Sequence, residues 1–166
     1  MADPIRKRPP LQVVREGNPG HRPVRAGVKV PPAELVEPDW LELFPAVRGD
    51  SDAQAVNRRC REVARREWRR VVPVLRVAAG LAEVDAMILT DYCVCVARID
   101  QCEREISRRG LLMEGERGWQ KNGATTVVGQ YRTQLKAYIG ELGLSPSARG
   151  RMTPPKGDDD EDDPFD

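Results

Sequence analysis

Six residues constrain this chain most. Ile88, Tyr92, Cys95, Ile99, Cys102 and Ile106 recur at intervals of four, three, four, three and four. That is a heptad seam, the pattern of a helix lying along another helix. The pattern predicts a helix over about 83–109, roughly 40 Å long at ~1.5 Å per residue. Leu89, Cys93 and Val96 widen the apolar stripe, and Gly110 stops it. Two stripes on one helix are more than one neighbour covers. A surplus of this kind tends to be buried against copies of the same chain. The six seam residues are therefore the expected oligomerisation surface.

Partners for this helix lie on both sides. Cys60, Ala64, Trp68, Val71 and Leu75 are spaced by four, four, three and four, which marks one face of a helix over about 53–77. Ser51 or Asp52 is placed to cap its start, Pro73 is expected to kink or end it, and Gly80 suits a left-handed C-terminal cap. After Gly110, the glycines at 115, 118 and 123 mark a loop or short hairpin. Val128, Tyr131, Leu135, Tyr138 and Leu142 form the seam of a third helix, about 126–142, closed by Gly143. Ser145-Pro146 then opens a short helical turn.

The ends read differently. Nine of the 14 prolines fall within residues 1–45. Proline fixes φ and removes a backbone donor, so regular structure does not propagate through such spacing. Only Asp39-Trp40-Leu41-Glu42-Leu43-Phe44 is suited to dock as a short apolar anchor. Residues 153–166 combine Thr153-Pro154-Pro155 with a self-repelling acidic run. The expected fold is all-α. A helical hairpin with a long central helix and a third helix occupies 53–152. It is flanked by a mostly disordered arm (1–52, basic then acidic) and a disordered acidic tail (153–166).

Net charge is +1 over 166 residues, which on its face argues against a nucleic-acid binder. The charges are segregated, however. Residues 1–30 carry +5, 31–52 carry −5, 53–110 carry +4, 111–157 carry +4 and 158–166 carry −7. The helical body is basic, and two acidic blocks cancel it. No apolar run approaches the ~20 residues of a membrane span, and MADPIRKRPP lacks the apolar core of a secretory signal. Four cysteines (Cys60, Cys93, Cys95, Cys102) without such a signal point to free thiols in a reducing compartment.

Arg58, Arg61, Arg65, Arg69 and Arg76 share one helix face, flanked by Arg59, Arg66 and Arg70. Guanidinium forks match phosphate oxygens, and each neutralised phosphate releases counterions. Arg58, Arg61, Arg65, Arg66, Arg69, Arg70 and Arg76 are therefore the candidate DNA contacts. The competing explanation is a solvated face in a chain with 22 Arg and only 5 Lys. Arg6, Lys7, Arg8, Arg15, Arg22 and Arg25 either add phosphate contacts or form an inert leader. Arg149 and Arg151 either help or cap the last helix.

Other chemistry is poorly supported. Cys93 and Cys95 project ~200° apart on a helix, and Cys95 and Cys102 lie two turns apart. Neither pair can share ~2.3 Å Zn–S bonds, so the cysteines read as small apolar seam residues. His21 has no Cys or Glu placed for a dyad. The Asp158–Asp163 run lacks the rigid frame a metal site requires, and no GxxxxGK[ST] loop is present for ATP hydrolysis. No catalytic residue, metal or cofactor is expected. The tail DDDEDDPFD either keeps a basic assembly soluble or docks a basic partner through Phe165.

Several segments together resemble a known family. Gly17-Asn18-Pro19-Gly20-His21-Arg22-Pro23 resembles the GNPGxRP signature of the P27 family of phage terminase small subunits. Trp68 to Leu75, then Gly80-Leu81 to Asp85, resembles its W…P.L…GL…D core. Tyr92-Cys93 matches its YC position, and Leu142-Gly143-Leu144-Ser145-Pro146 to Met152 its LGLTPSSRARL ending. Two departures are a long acidic-then-arginine stretch between Trp40-Leu41 and Trp68, and Asn122-Gly123 in place of Asn-Pro.

The resemblance implies a non-enzymatic, ring-forming packaging factor in the host cytoplasm. Its partners would be double-stranded viral DNA, copies of itself and the terminase large subunit, which carries the ATPase and nuclease. A helix-turn-helix transcriptional regulator and a structural virion or adaptor protein without DNA binding are the alternatives.

Overall fold

The computed structural model describes residues 34–79, 81–116 and 118–149. The basic arm, His21, Gly80, Arg151 and the acidic tail lie outside the described residues, as does the side chain of Arg149. In chain order the elements are α1 (Trp40–Leu43), α2 (Ser51–Ala79), a 3-10 turn (Glu83–Asp85), α3 (Ala86–Arg109), β1 (Leu112–Gly115), β2 (Gly118–Lys121), α4 (Gly123–Glu141) and α5 (Pro146–Arg149). The all-α reading holds, with one small two-stranded hairpin added.

α3 is the centre of the molecule, with α2 packed along one side and α4 along another. The surplus stripe is therefore used largely within the subunit. Leu89, Tyr92, Cys93, Cys95, Ala97 and Cys102 are all buried. This divides the expected oligomerisation seam. Tyr92, Cys95 and Cys102 are buried inside one subunit, while Ile88, Ile99 and Ile106 stay half-buried. All four cysteines are free and buried, as seam residues should be. Burial pushes the Cys93 thiol up to about 12, with the Glu67 carboxylate adding to the shift.

Local signals explain most boundaries. α2 is capped by Asp50 rather than Ser51 or Asp52: the Ala53 N–H donates to Asp50 Oδ1 at 2.9 Å. Pro73 does not end α2, which runs on to Ala79. Val71 and Leu75, on either side of Pro73, are buried at 2% and 3% exposure, and this packing outweighs the hydrogen bond that proline removes. Asp85 closes the 3-10 turn by accepting from the Ala82 N–H at 2.8 Å. α3 ends at Gly110, whose φ of 84° suits glycine and whose N–H donates to Ile106 O at 2.7 Å.

The hairpin pairs Leu112 with Lys121, Met113 with Gln120, Glu114 with Trp119 and Gly115 with Gly118. It is mostly exposed and serves as a connector. Asn122 then fixes the start of α4, three residues before the expected 126. Its side chain accepts from the Ala124 N–H at 3.0 Å and donates to Gly110 O at 2.9 Å. At 3% exposure it is the buried polar residue among those described. One side chain thus caps α4 and ties it to the end of α3. α5 starts as expected, with Ser145 Oγ accepting from the Ala148 N–H at 3.1 Å.

Candidate nucleic-acid interface

The anchor at 39–44 docks as its apolar residues suggest, and part of the expected disordered arm is therefore structured. Asp39 caps α1 through the Leu41 N–H at 2.8 Å. Trp40 and Phe44 are each 1% exposed. The Trp40 and Trp68 rings meet edge to face at 6.1 Å, a favoured aromatic geometry. The Arg98 guanidinium stands 4.8 Å above the Phe44 ring. Arg61 donates to Phe44 O, and Asn57 donates to Pro45 O at 2.8 Å. Residues 34–45 form a strap running antiparallel to α2.

This strap meets the candidate arginines. Glu37 accepts the Trp40 indole N–H through Oε1 at 2.8 Å. The same carboxylate lies 3.6 Å from Arg65 Nε and 3.3 Å from Arg69 Nε. Glu34 sits 3.9 Å from Arg76. The guanidinium groups keep solvent access: the side chains of Arg65, Arg69 and Arg76 are 52%, 67% and 57% exposed. The seven candidates are therefore not equivalent. Arg65, Arg69 and Arg76 pair with the strap, and Arg61 holds its backbone. Arg70, also exposed, pairs along its own helix, donating to Glu67 Oε2 at 2.9 Å. Arg58 and Arg66, both exposed, make no ion pair among the described residues.

Arg70 belongs to a part-buried polar cluster. Glu67 also accepts from Tyr92 Oη at 2.6 Å. Burial alone would raise the Glu67 carboxyl. The hydrogen bonds from Arg70 and Tyr92, with the charges of Arg70 and Arg66, outweigh it and hold the carboxyl below its ordinary value. Burial and the same hydrogen bond push the Tyr92 phenol up. Arg70 is raised chiefly by its bond to Glu67, and its side chain stays 64% exposed.

An open groove between α2 and α3 is a poorer polyanion channel. Arg58, Arg59, Arg104 and Arg108 line it, but so do Asp52, Glu62, Asp100, Glu103 and Glu105. Arg59 is already paired with Asp100 at 3.1 Å. The more suitable surface is the outer face of α2, where Arg65, Arg66, Arg69 and Arg76 stand, with Arg58 on the rim it shares with the groove.

Sequence reasoning missed Glu34 and Glu37 as partners of these arginines. The signals were present: an acidic block beside a basic one, and an aromatic anchor that brings them together.

A comparison at the family level places this arrangement. The sequence model of the phage terminase small subunit matches residues 64–159. The chain belongs to the phage terminase small-subunit family. Its role is thus in viral genome packaging. The match takes in Arg65 to Arg76, α3 and α4, and begins after the strap and Arg58 and Arg61. Comparisons with curated proteins and with solved structures return no match. No helix among the described residues is long and apolar enough to cross a membrane.

Proposed function

We propose that this small subunit is the DNA-engaging, non-catalytic part of a packaging terminase acting in the host cytoplasm. It gathers into a ring, holds double-stranded viral DNA and passes it to the large subunit for packaging into the prohead. The observation that carries the reading is the outer face of α2, where exposed arginines stand within the family-matched segment. A few phosphate contacts per subunit bind weakly, and repetition around a ring multiplies them without new chemistry. Exposed Val74, Val77, Val84 and Met87, where α2 gives way to α3, supply apolar surface for self-association beyond the internal seam.

The packing disfavours a helix-turn-helix regulator. A recognition helix needs a free face for the major groove, and α3 is held between α2 and α4.

The test is Arg65→Glu with Arg69→Glu, measured by duplex retention and by light-scattering mass together. Retention should fall at least tenfold with the mass unchanged. Unchanged retention favours the structural or adaptor reading. A wild-type dimer rather than a larger ring favours the regulator.

A further inference from the structure

The geometry points to the acidic strap as an internal competitor for the arginine face, so that Glu34 and Glu37 occupy guanidinium groups that DNA phosphates take on binding. This rests on the reading of that face as the DNA interface.

Three features carry it. First, the strap is held by its apolar end. Trp40 and Phe44 are sealed in the core, while Glu34 is 90% exposed at the other end. Between the two glutamates only Leu35, half-buried, touches the core, so the carboxylates can exchange by lifting one leucine while Trp40 and Phe44 stay sealed. Second, the contacts are of an exchangeable kind. Glu37 meets Arg65 and Arg69 at 3.6 and 3.3 Å, with both guanidinium groups more than half exposed. Exposed pairs of this sort contribute about 0–1 kcal/mol each, so a ligand presenting several phosphates can displace them. Third, tethering makes weak carboxylates effective competitors. An attached group has an effective concentration in the millimolar range without any added affinity. The strap therefore weakens single, adventitious phosphate contacts most, and a multivalent complex around a ring least.

Glu37 is the pivot, because Trp40 aims its carboxylate. Glu37→Gln retains an oxygen for the Trp40 indole N–H while removing the charge. Glu34→Gln changes an exposed residue.

The experiment uses the full chain and a fluorescent duplex of random sequence at low salt. Glu34→Gln with Glu37→Gln should tighten binding about three- to tenfold, as expected for losing two or three exposed pairs. In the Arg65→Gln, Arg69→Gln, Arg76→Gln background the gain should vanish, since direct competition requires those three partners. An equal gain in that background identifies a general net-charge effect and overturns the proposal. Unchanged or weaker binding in the Gln variant also overturns it. If the arginine changes alone still lower affinity, the DNA face stands and only the strap proposal falls. If neither set of changes moves affinity, both fall.

Discussion

α2 touches two glutamates of nearly identical chemistry and opposite consequence. Glu67 accepts a hydrogen bond from Tyr92 at 2.6 Å and pairs with Arg70. Glu37 accepts one from Trp40 at 2.8 Å and pairs with Arg65 and Arg69. Each is an aromatic donor, a carboxylate and arginine. The difference lies in solvent and tether. Glu67 is 13% exposed and shares its helix with Arg70, three residues away. Glu37 is 28% exposed and reaches arginines about thirty residues along the chain. The Tyr92–Glu67 bond spans α2 and α3, so breaking it means opening their packing. The second can be broken by moving one short strap. Composition alone would treat them alike, and burial separates a structural cluster from an exchangeable one.

The largest effect that sharpens this contrast belongs to the apolar anchor. Trp40→Ala removes an indole with 1% exposure from against Trp68. It should cost about 3–5 kcal/mol in urea unfolding. A loss below about 1 kcal/mol would mean that the strap is not part of the core. Next is Glu67→Ala, which leaves the Tyr92 hydroxyl without its acceptor. It should cost about 1–3 kcal/mol, the penalty for an unpaired buried polar group. Glu37→Gln should cost under about 1 kcal/mol, as exposed pairs do. Equal losses at the two glutamates would erase the distinction.

The smallest effect is in pH. The Glu67 carboxyl is lowered from an ordinary 4.5. A group lowered in the folded state stabilises it fully above its unfolded value, and that stability is lost as pH falls through the folded value. Unfolding free energy should therefore decline as pH drops below about 4.5, and Glu67→Gln should flatten that limb.

Much of the helical frame was legible because it depends on periodicity. The spacing from Cys60 to Leu75 and from Ile88 to Ile106 marks real helices, and Gly110 ends α3 where a left-handed residue is needed. What periodicity does not carry is the choice of partner. The same spacing that marks Tyr92, Cys95 and Cys102 as seam residues serves equally for α2, for α4 or for another subunit. Here the subunit's own helices take them. Pro73 shows the same limit, since tertiary packing on Val71 and Leu75 overrides a local helix breaker.

The candidate site was half legible. The arginine row on α2 could be read from spacing, and its exposure agrees. That Glu67 takes a hydrogen bond from Tyr92, while Glu37 takes one from Arg69, depends on contacts 25 and 32 residues apart in the chain. Sequence spacing along one helix does not report such contacts.

The central claim is that the outer face of α2 meets DNA phosphates. The most direct measurement is the slope of log affinity against log salt for wild type and for Arg58→Gln, Arg65→Gln, Arg66→Gln and Arg69→Gln combined. Each lost phosphate contact should lower the slope by about 0.9 on duplex DNA. The account predicts a slope shallower by about 2–4 per binding subunit, with the oligomer mass unchanged. Parallel lines for the two proteins would contradict it.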